Sequence, residues 1–125
     1  MKSSRTSERE LAFKTIYSRF FNAENNDEDF DNADEKELEF TTSILKEFAG
    51  HYQEINNLIS EHLKGYTIER LFKVDLAIIT LAVIEIKFLK NPKEVVINEA
   101  VELAKKYSTE KSPKFINGVL ADIVK

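Results

Sequence analysis

Apolar residues recur along almost the whole chain at intervals of three and four, and nowhere do they alternate over the length of a strand, so the pattern predicts an all-α protein. The first expected helix opens at Ser7, whose Ser-x-x-Glu spacing to Glu10 is that of a capping box. It carries Ala12, Phe13, Ile16, Tyr17 and Phe20 as its buried stripe, leaves Arg5, Arg9 and Arg19 off that face, and ends near Asn22. Residues 23–34 hold too few apolar side chains to offset the entropy of ordering them, and read as a flexible acidic loop. A second helix is expected from Glu35 to Phe48, with Leu38, Leu45 and Phe48 inward and a stop at Gly50. A third runs from His51 to Leu63 with Tyr52, Ile55, Leu58, Ile59, His62 and Leu63 on the helical period and Gly65 at its C-terminal end.

Thr67 is placed to cap a short helix through Leu71 and Phe72. The following run, Val74 to Phe88, is apolar on nearly every side, which puts it in the middle of the fold. Glu85 lies on that helix and requires a hydrogen-bonding or cationic partner if buried. Pro92 introduces a helix whose stripe is Val96, Ala100, Leu103, Ala104 and Tyr107. Ser112-Pro113 offers an N-cap and first-turn proline to a last helix that turns Phe115, Ile116, Val119, Leu120 and Ile123 inward. The total is about seven helices, one of them short, with no internal repeat, in a chain of 125 residues that reads as a single domain.

Composition narrows the chemistry. There is no cysteine, which removes disulfides, thiol catalysis and thiolate metal sites together and fits a cytoplasmic protein. The polar start, Met1-Lys2-Ser3-Ser4-Arg5, is not a secretory leader, and the longest apolar run falls short of the roughly 20 residues that span a bilayer, so no membrane partner is expected. Asp27, Asp29 and Asp31 match the first positions of a calcium loop. Asn32 stands where that loop needs Gly, however, and Leu38 where it needs the bidentate Glu. His51 and His62 have no partners at ligand or catalytic spacing. With no phosphate-cradling glycine loop either, neither an enzyme nor a cofactor or metal site is expected.

The net charge of −4 is unevenly spread: residues 1–21 carry +3 and residues 22–39 carry −8. On a continuous helix Lys2, Arg5 and Arg9 share one stripe, able to follow a phosphate backbone. Lys105, Lys106, Lys111 and Lys114 form a second basic group around the last interhelical loop, where Tyr107 and Phe115 supply rings for stacking on an unpaired base. Helix-end lysines beside core aromatics equally fit an ordinary solvated face; if the two groups do hold a nucleic-acid strand, they are expected to converge on it.

Several segments together resemble the NusB family of bacterial transcription antitermination factors. They are Arg9-Glu10-x-Ala12 with Tyr17, Val74-Asp75-x-Ala77 with Leu81-Ala82-x-x-Glu85, Val96-Ile97-Asn98-Glu99-Ala100, and Phe115-Ile116-Asn117-Gly118-Val119-Leu120. The resemblance implies two small helical bundles packed across each other and a non-enzymatic factor. It further implies binding, together with NusE, a small-subunit ribosomal protein, of boxA-like single-stranded RNA. The pair then reaches the RNA polymerase elongation complex and promotes read-through of ribosomal RNA operons. By the same resemblance the RNA-binding positions are Lys2, Arg5, Arg9, Lys111 and Phe115, to which the basic group of the last loop adds Lys114, and the free protein is a monomer or homodimer. Two departures stand out: Ser3, Ser4, Thr6 and Ser7 thin the arginine-rich start, and Lys111 replaces a residue that is often acidic. Thr80 stands where relatives commonly carry Arg. The competing expectation is a helical scaffold or homodimer that has lost RNA binding.

Overall fold

The computed structural model describes residues 4–21 and 38–125; Lys2, the expected acidic loop and the expected start of the second helix at Glu35 lie outside them. Within the described residues there are six α-helices, a 3-10 turn and no strand. The helices are α1 (Arg5–Phe21), α2 (Glu39–Gly50), α3 (Tyr52–Glu61), α4 (Lys73–Val83), α5 (Lys93–Tyr107) and α6 (Ser112–Ile123). The 3-10 turn (Ile68–Arg70) is the expected short helix. A π-helical turn (Ile84–Phe88) continues α4.

α4 is the axis. Every residue from Asp75 to Glu85 is buried, and α1, α3, α5 and α6 all pack against this helix, so that α1–α3 and α4–α6 form two small bundles sharing it. The stripes foreseen in the other helices supply the matching surfaces: Ala12, Phe13 and Ile16 from α1, Ile44, Leu45 and Phe48 from α2, Ile55 and Ile59 from α3, Val96, Ala100 and Ala104 from α5, and Ile116, Leu120 and Ile123 from α6. Tyr52 departs from expectation: it is 46% exposed, its ring set edge-on to Phe48 at the rim.

Polar side chains correct the expected ends and faces. α1 begins a turn earlier than the capping box suggested, with the Ser4 hydroxyl accepting from the Ser7 N–H at 3.1 Å. Glu8 of α1 is buried and caps a different helix: its Oε1 accepts the N–H groups of Phe40 and Thr41 at 3.1 and 3.2 Å, at the N-terminus of α2 where an anion is favoured. Thr67 makes no side-chain cap. Ser112 lies inside the first turn of α6, with its hydroxyl turned to Asp75 rather than to the helix start.

The largest correction is Arg9. Expected off the buried face, it is only 6% exposed, and its Nε donates to both carboxylate oxygens of Glu85 at 2.9 and 2.8 Å while Nη1 donates to Glu99 at 3.2 Å. The physical reason is Glu85 itself. The π turn holds this carboxylate in the core, 1% exposed, where an uncompensated charge is not tolerated, and Arg9 is the cation that α1 brings there. Asn91 completes the set by donating to Glu85 Oε1 at 3.1 Å.

Two stability predictions follow from this packing. Arg9→Ala strands Glu85 and should cost about 3–5 kcal/mol in urea unfolding, whereas exposed Arg5→Ala should cost less than about 1 kcal/mol; equal losses would contradict the distinction. Thr80 is 2% exposed and its hydroxyl has no partner among the described residues, so Thr80→Val should raise stability by roughly 1 kcal/mol in the same assay, and a loss of that size would show that the hydroxyl is satisfied.

Candidate nucleic-acid interface

Three connections build one surface. α3 ends at Glu61 with His62 as its C-cap, and in the bend that follows Gly65, at φ +79°, takes a left-handed conformation and leads the chain to Tyr66. The 3-10 turn then projects Arg70 outward, and Phe72 precedes α4 with 61% of its surface exposed. The loop between α5 and α6 closes over the same place. Ser108 and Ser112 donate to the two oxygens of Asp75 at 2.5 and 3.0 Å, and Thr109 N–H donates to Ser112 Oγ at 3.3 Å. Asp75, 4% exposed at the start of α4, thus ties the loop to the central helix.

The result is a cavity of about 210 Å³. Tyr66, Phe72 and Phe115 provide aromatic walls, Asp75 and Ser112 a polar floor, and Arg70 and Lys111 a positive rim. The rings of Tyr66 and Phe115 meet edge to face, centroids 5.7 Å apart at 66°. Phe115, expected inward, is half-buried with part of its ring on this surface. Lys111 and Lys114 are exposed, and neither makes a hydrogen bond or ion pair with a described residue. Such a site can hold a flat ring between aromatic faces, offer acceptors to its edge and cations to a flanking anion.

The N-terminal cations lie elsewhere. Arg5 is exposed, with its guanidinium 4.4 Å from the centroid of the Phe40 ring. α1 and α5 run side by side in the same direction, because Thr6 donates to Glu99 at 2.8 Å and, further along, Lys106 and Tyr107 donate to Glu10 at 2.6 and 2.5 Å. From Glu99 to Ser108 the helix rises about 13 Å. Arg5 and the Lys111 loop therefore stand at the two ends of one seam rather than at a single point. Lys105 is paired with Glu102 at 3.1 Å and Lys106 with Glu10, so part of the expected second basic group is neutralised on its own surface. Of the six residues expected to bind RNA, Lys111, Lys114 and Phe115 come together, Arg5 lies along the seam, Arg9 is in the core, and Lys2 is outside the described residues.

Tyr66, Arg70, Phe72 and Asp75 were not anticipated as site residues. A signal was present, namely exposed-type aromatics on both sides of a basic residue directly after a turn glycine, but periodicity assigned Phe72 to a helix stripe.

Hydrogen bonds from Lys106 and then Tyr107 hold the Glu10 carboxyl below its ordinary value of 4.5, and Glu10 in turn raises Lys106 above 10.5. A depressed carboxylate contributes stability that is present above pH 4.5 and is lost as pH falls through the folded-state value. Glu10→Gln should therefore flatten the acid limb of a stability-against-pH curve measured by urea unfolding below pH 4.5; an unchanged limb would exclude the seam as its source.

The described residues thus form an all-helical body presenting an aromatic cavity rimmed by cations. The model of the NusB family matches residues 6–125, and the chain belongs to that family. It is 38% identical over 140 residues to the transcription antitermination protein NusB of Clostridium botulinum (strain Loch Maree / Type A3), covering 97% of this chain and 99% of that protein. It is 37% identical to NusB of Finegoldia magna, covering 98% and 94%. Among solved structures, T. maritima NusB superposes with a TM-score of 0.89 at 34% identity, covering 98% of this chain and 92% of that one. A structure of the antitermination factors NusB and NusE in complex with dsRNA superposes at 0.83 and 31% identity, covering 95% and 94%.

Proposed function

We propose that this chain is a cytoplasmic, non-enzymatic antitermination factor. In this reading residues 1–125 act as one RNA-binding domain, which pairs with NusE and delivers boxA-like single-stranded RNA to the RNA polymerase elongation complex, promoting read-through of ribosomal RNA operons. The observation that carries the reading is the cavity between the 3-10 turn and the α5–α6 loop: three aromatic rings for stacking an unpaired base, with Arg70 and Lys111 at its mouth. Family membership and the relatives' shared name support the biological setting.

Within this reading Phe115 stacks on a base, Lys111 and Lys114 meet the adjoining phosphates, and Arg5 and Lys2 engage the strand where it runs along the α1–α5 seam. Arg9 acts through the fold: by neutralising Glu85 it fixes α1, and with it Arg5, against the rest of the body. Four of the expected cations then remain for the phosphates, and Arg70 at the cavity mouth makes five. At about −0.7 per contact they predict a log–log salt slope of about −3.5. NusE, held in the same complex, supplies further affinity.

Fluorescence anisotropy of a labelled boxA-like RNA, with and without NusE and against scrambled and duplex RNA, tests the proposal. Phe115→Ala should weaken binding by about 1–3 kcal/mol. Lys111→Glu should weaken it as well and make the salt slope shallower. No binding to any of these RNAs in the presence of NusE would favour the alternative of a helical scaffold or homodimer without RNA, and equal affinity for the scrambled strand would overturn the boxA selectivity.

A further inference from the structure

The Tyr66–Phe115 pair has a second side. Beyond it, between the end of α3 and the outer face of α6, runs a groove of about 310 Å³ lined by His62, Lys64, Lys114, Gly118 and Asp122 together with the same two rings. The cavity and the groove are thus neighbours separated by one aromatic wall.

Gly118 is the telling residue. It lies in the interior of α6 and is exposed, without the positive φ that would call for glycine, and a Cβ built on it would meet nothing within 4 Å. Glycine in a helix interior costs about 1 kcal/mol relative to alanine, and packing within this chain gives no return for it. A glycine there leaves room for a backbone from outside to lie directly on the helix.

Charge identifies the visitor. Lys64, with its side chain 86% exposed, has only a 4.0 Å contact to Asp122, and Lys114 has no described partner. Among the described residues lining the groove the one carboxylate, Asp122, is held by the His62 Nδ1 at 2.6 Å, and its other oxygen, Oδ1, lies on the Lys64 side. Two cations flanking a bare stretch of helix, with one fixed acceptor between them, match a ribose-phosphate chain: phosphate oxygens for the lysines and a 2′-hydroxyl to donate to the carboxylate.

We infer that the groove over Gly118 is a second RNA subsite, which takes the nucleotides that continue the strand past the Tyr66–Phe115 wall and recognises them as ribose rather than deoxyribose. This rests on the RNA-binding reading of the cavity and extends it by naming where the strand goes next. Neither a second base-specific pocket nor a conformational change is required.

The test uses the full chain with NusE and two kinds of probe: the boxA-like RNA alone, and the same RNA carrying a short uridine tract at its 5′ or its 3′ end, made with ribose or with deoxyribose in the tract. Wild-type protein should bind one of the ribose-extended strands severalfold more tightly than the unextended RNA, and the deoxyribose version should forfeit most of that gain. Lys64→Gln and Gly118→Ala should leave affinity for the unextended RNA unchanged while removing the gain. Lys64→Gln should also make the salt slope for the extended strand shallower by about 0.7. Gly118→Ala should remove the gain while raising the thermal midpoint, since alanine is the better helix former; the bulkier Gly118→Gln should block the groove as well. The subsite is overturned if neither extension adds affinity, if the gain survives both Lys64→Gln and Gly118→Ala, or if those changes weaken NusE binding instead, which would assign the groove to a protein. Failure of wild-type protein and NusE to select the unextended RNA over a scrambled strand would bring down the RNA reading as a whole, a result distinguishable from any of these.

Discussion

The contact between Arg9 and Glu85 is the constraint on which the rest of the arrangement depends. Three elements meet there: α1 through Arg9, the π turn of the central helix through Glu85, and α5 through Glu99, with Asn91 closing the remaining side. Both members of the main pair are almost wholly buried, so neither charge has water to fall back on. The pair adds direction to a core otherwise built from aliphatic side chains, which fill space without specifying orientation. It fixes how far along and at what rotation α1 lies on α4. The positions of Arg5 beside Phe40, of Glu8 beneath α2, and of Glu10 facing Lys106 and Tyr107 are set by the same alignment.

A second buried carboxylate does comparable work at the functional surface. Asp75 holds the α5–α6 loop through Ser108 and Ser112, so the loop that carries Lys111 is anchored to the first turn of the central helix rather than left to wander. On the other side, the bend after α3 passes through Gly65 in the left-handed conformation and leads into Tyr66, which lines the cavity. The cavity between turn and loop is thereby held open, with Tyr66 and Phe115 in edge-to-face contact on one side. That preorganisation lowers the cost of binding a single-stranded ligand, whose own ordering is the main expense.

Much of this was legible in the sequence, and the parts that were not share a cause. Helical periodicity placed the central helix, the stripes of α1, α5 and α6, and the turn at Gly65, because each is a local consequence of burial pattern or backbone freedom. The need of Glu85 for a partner was also legible, from one acid on an apolar helix. The identity of that partner was not: Arg9 is 76 residues away, and its spacing with Lys2 and Arg5 reads equally well as a solvent-facing stripe. Glu10 and Ser112 misled in the same manner, as both read as local caps and both spend their polar atoms on other elements. In the site, Lys111, Lys114 and Phe115 were readable because they are near one another in sequence, whereas Tyr66, Arg70 and Phe72 join them only through the fold. Local rules therefore gave the elements, and long-range polar contacts decided which charges stayed available for a ligand.

The central claim is that the strand is held at the aromatic cavity and along the α1–α5 seam, while Arg9 remains committed to the core. Amide and arginine-side-chain NMR of the labelled protein bound to NusE, recorded as boxA-like RNA is added, tests this most directly. Shifts confined to the amides around Arg5, Tyr66–Phe72 and Ser108–Phe115, with the Arg9 Nε–H resonance unmoved, are what the account predicts. A perturbed Arg9 side chain, or shifts concentrated on the far face around Tyr52 and Phe88, would contradict it.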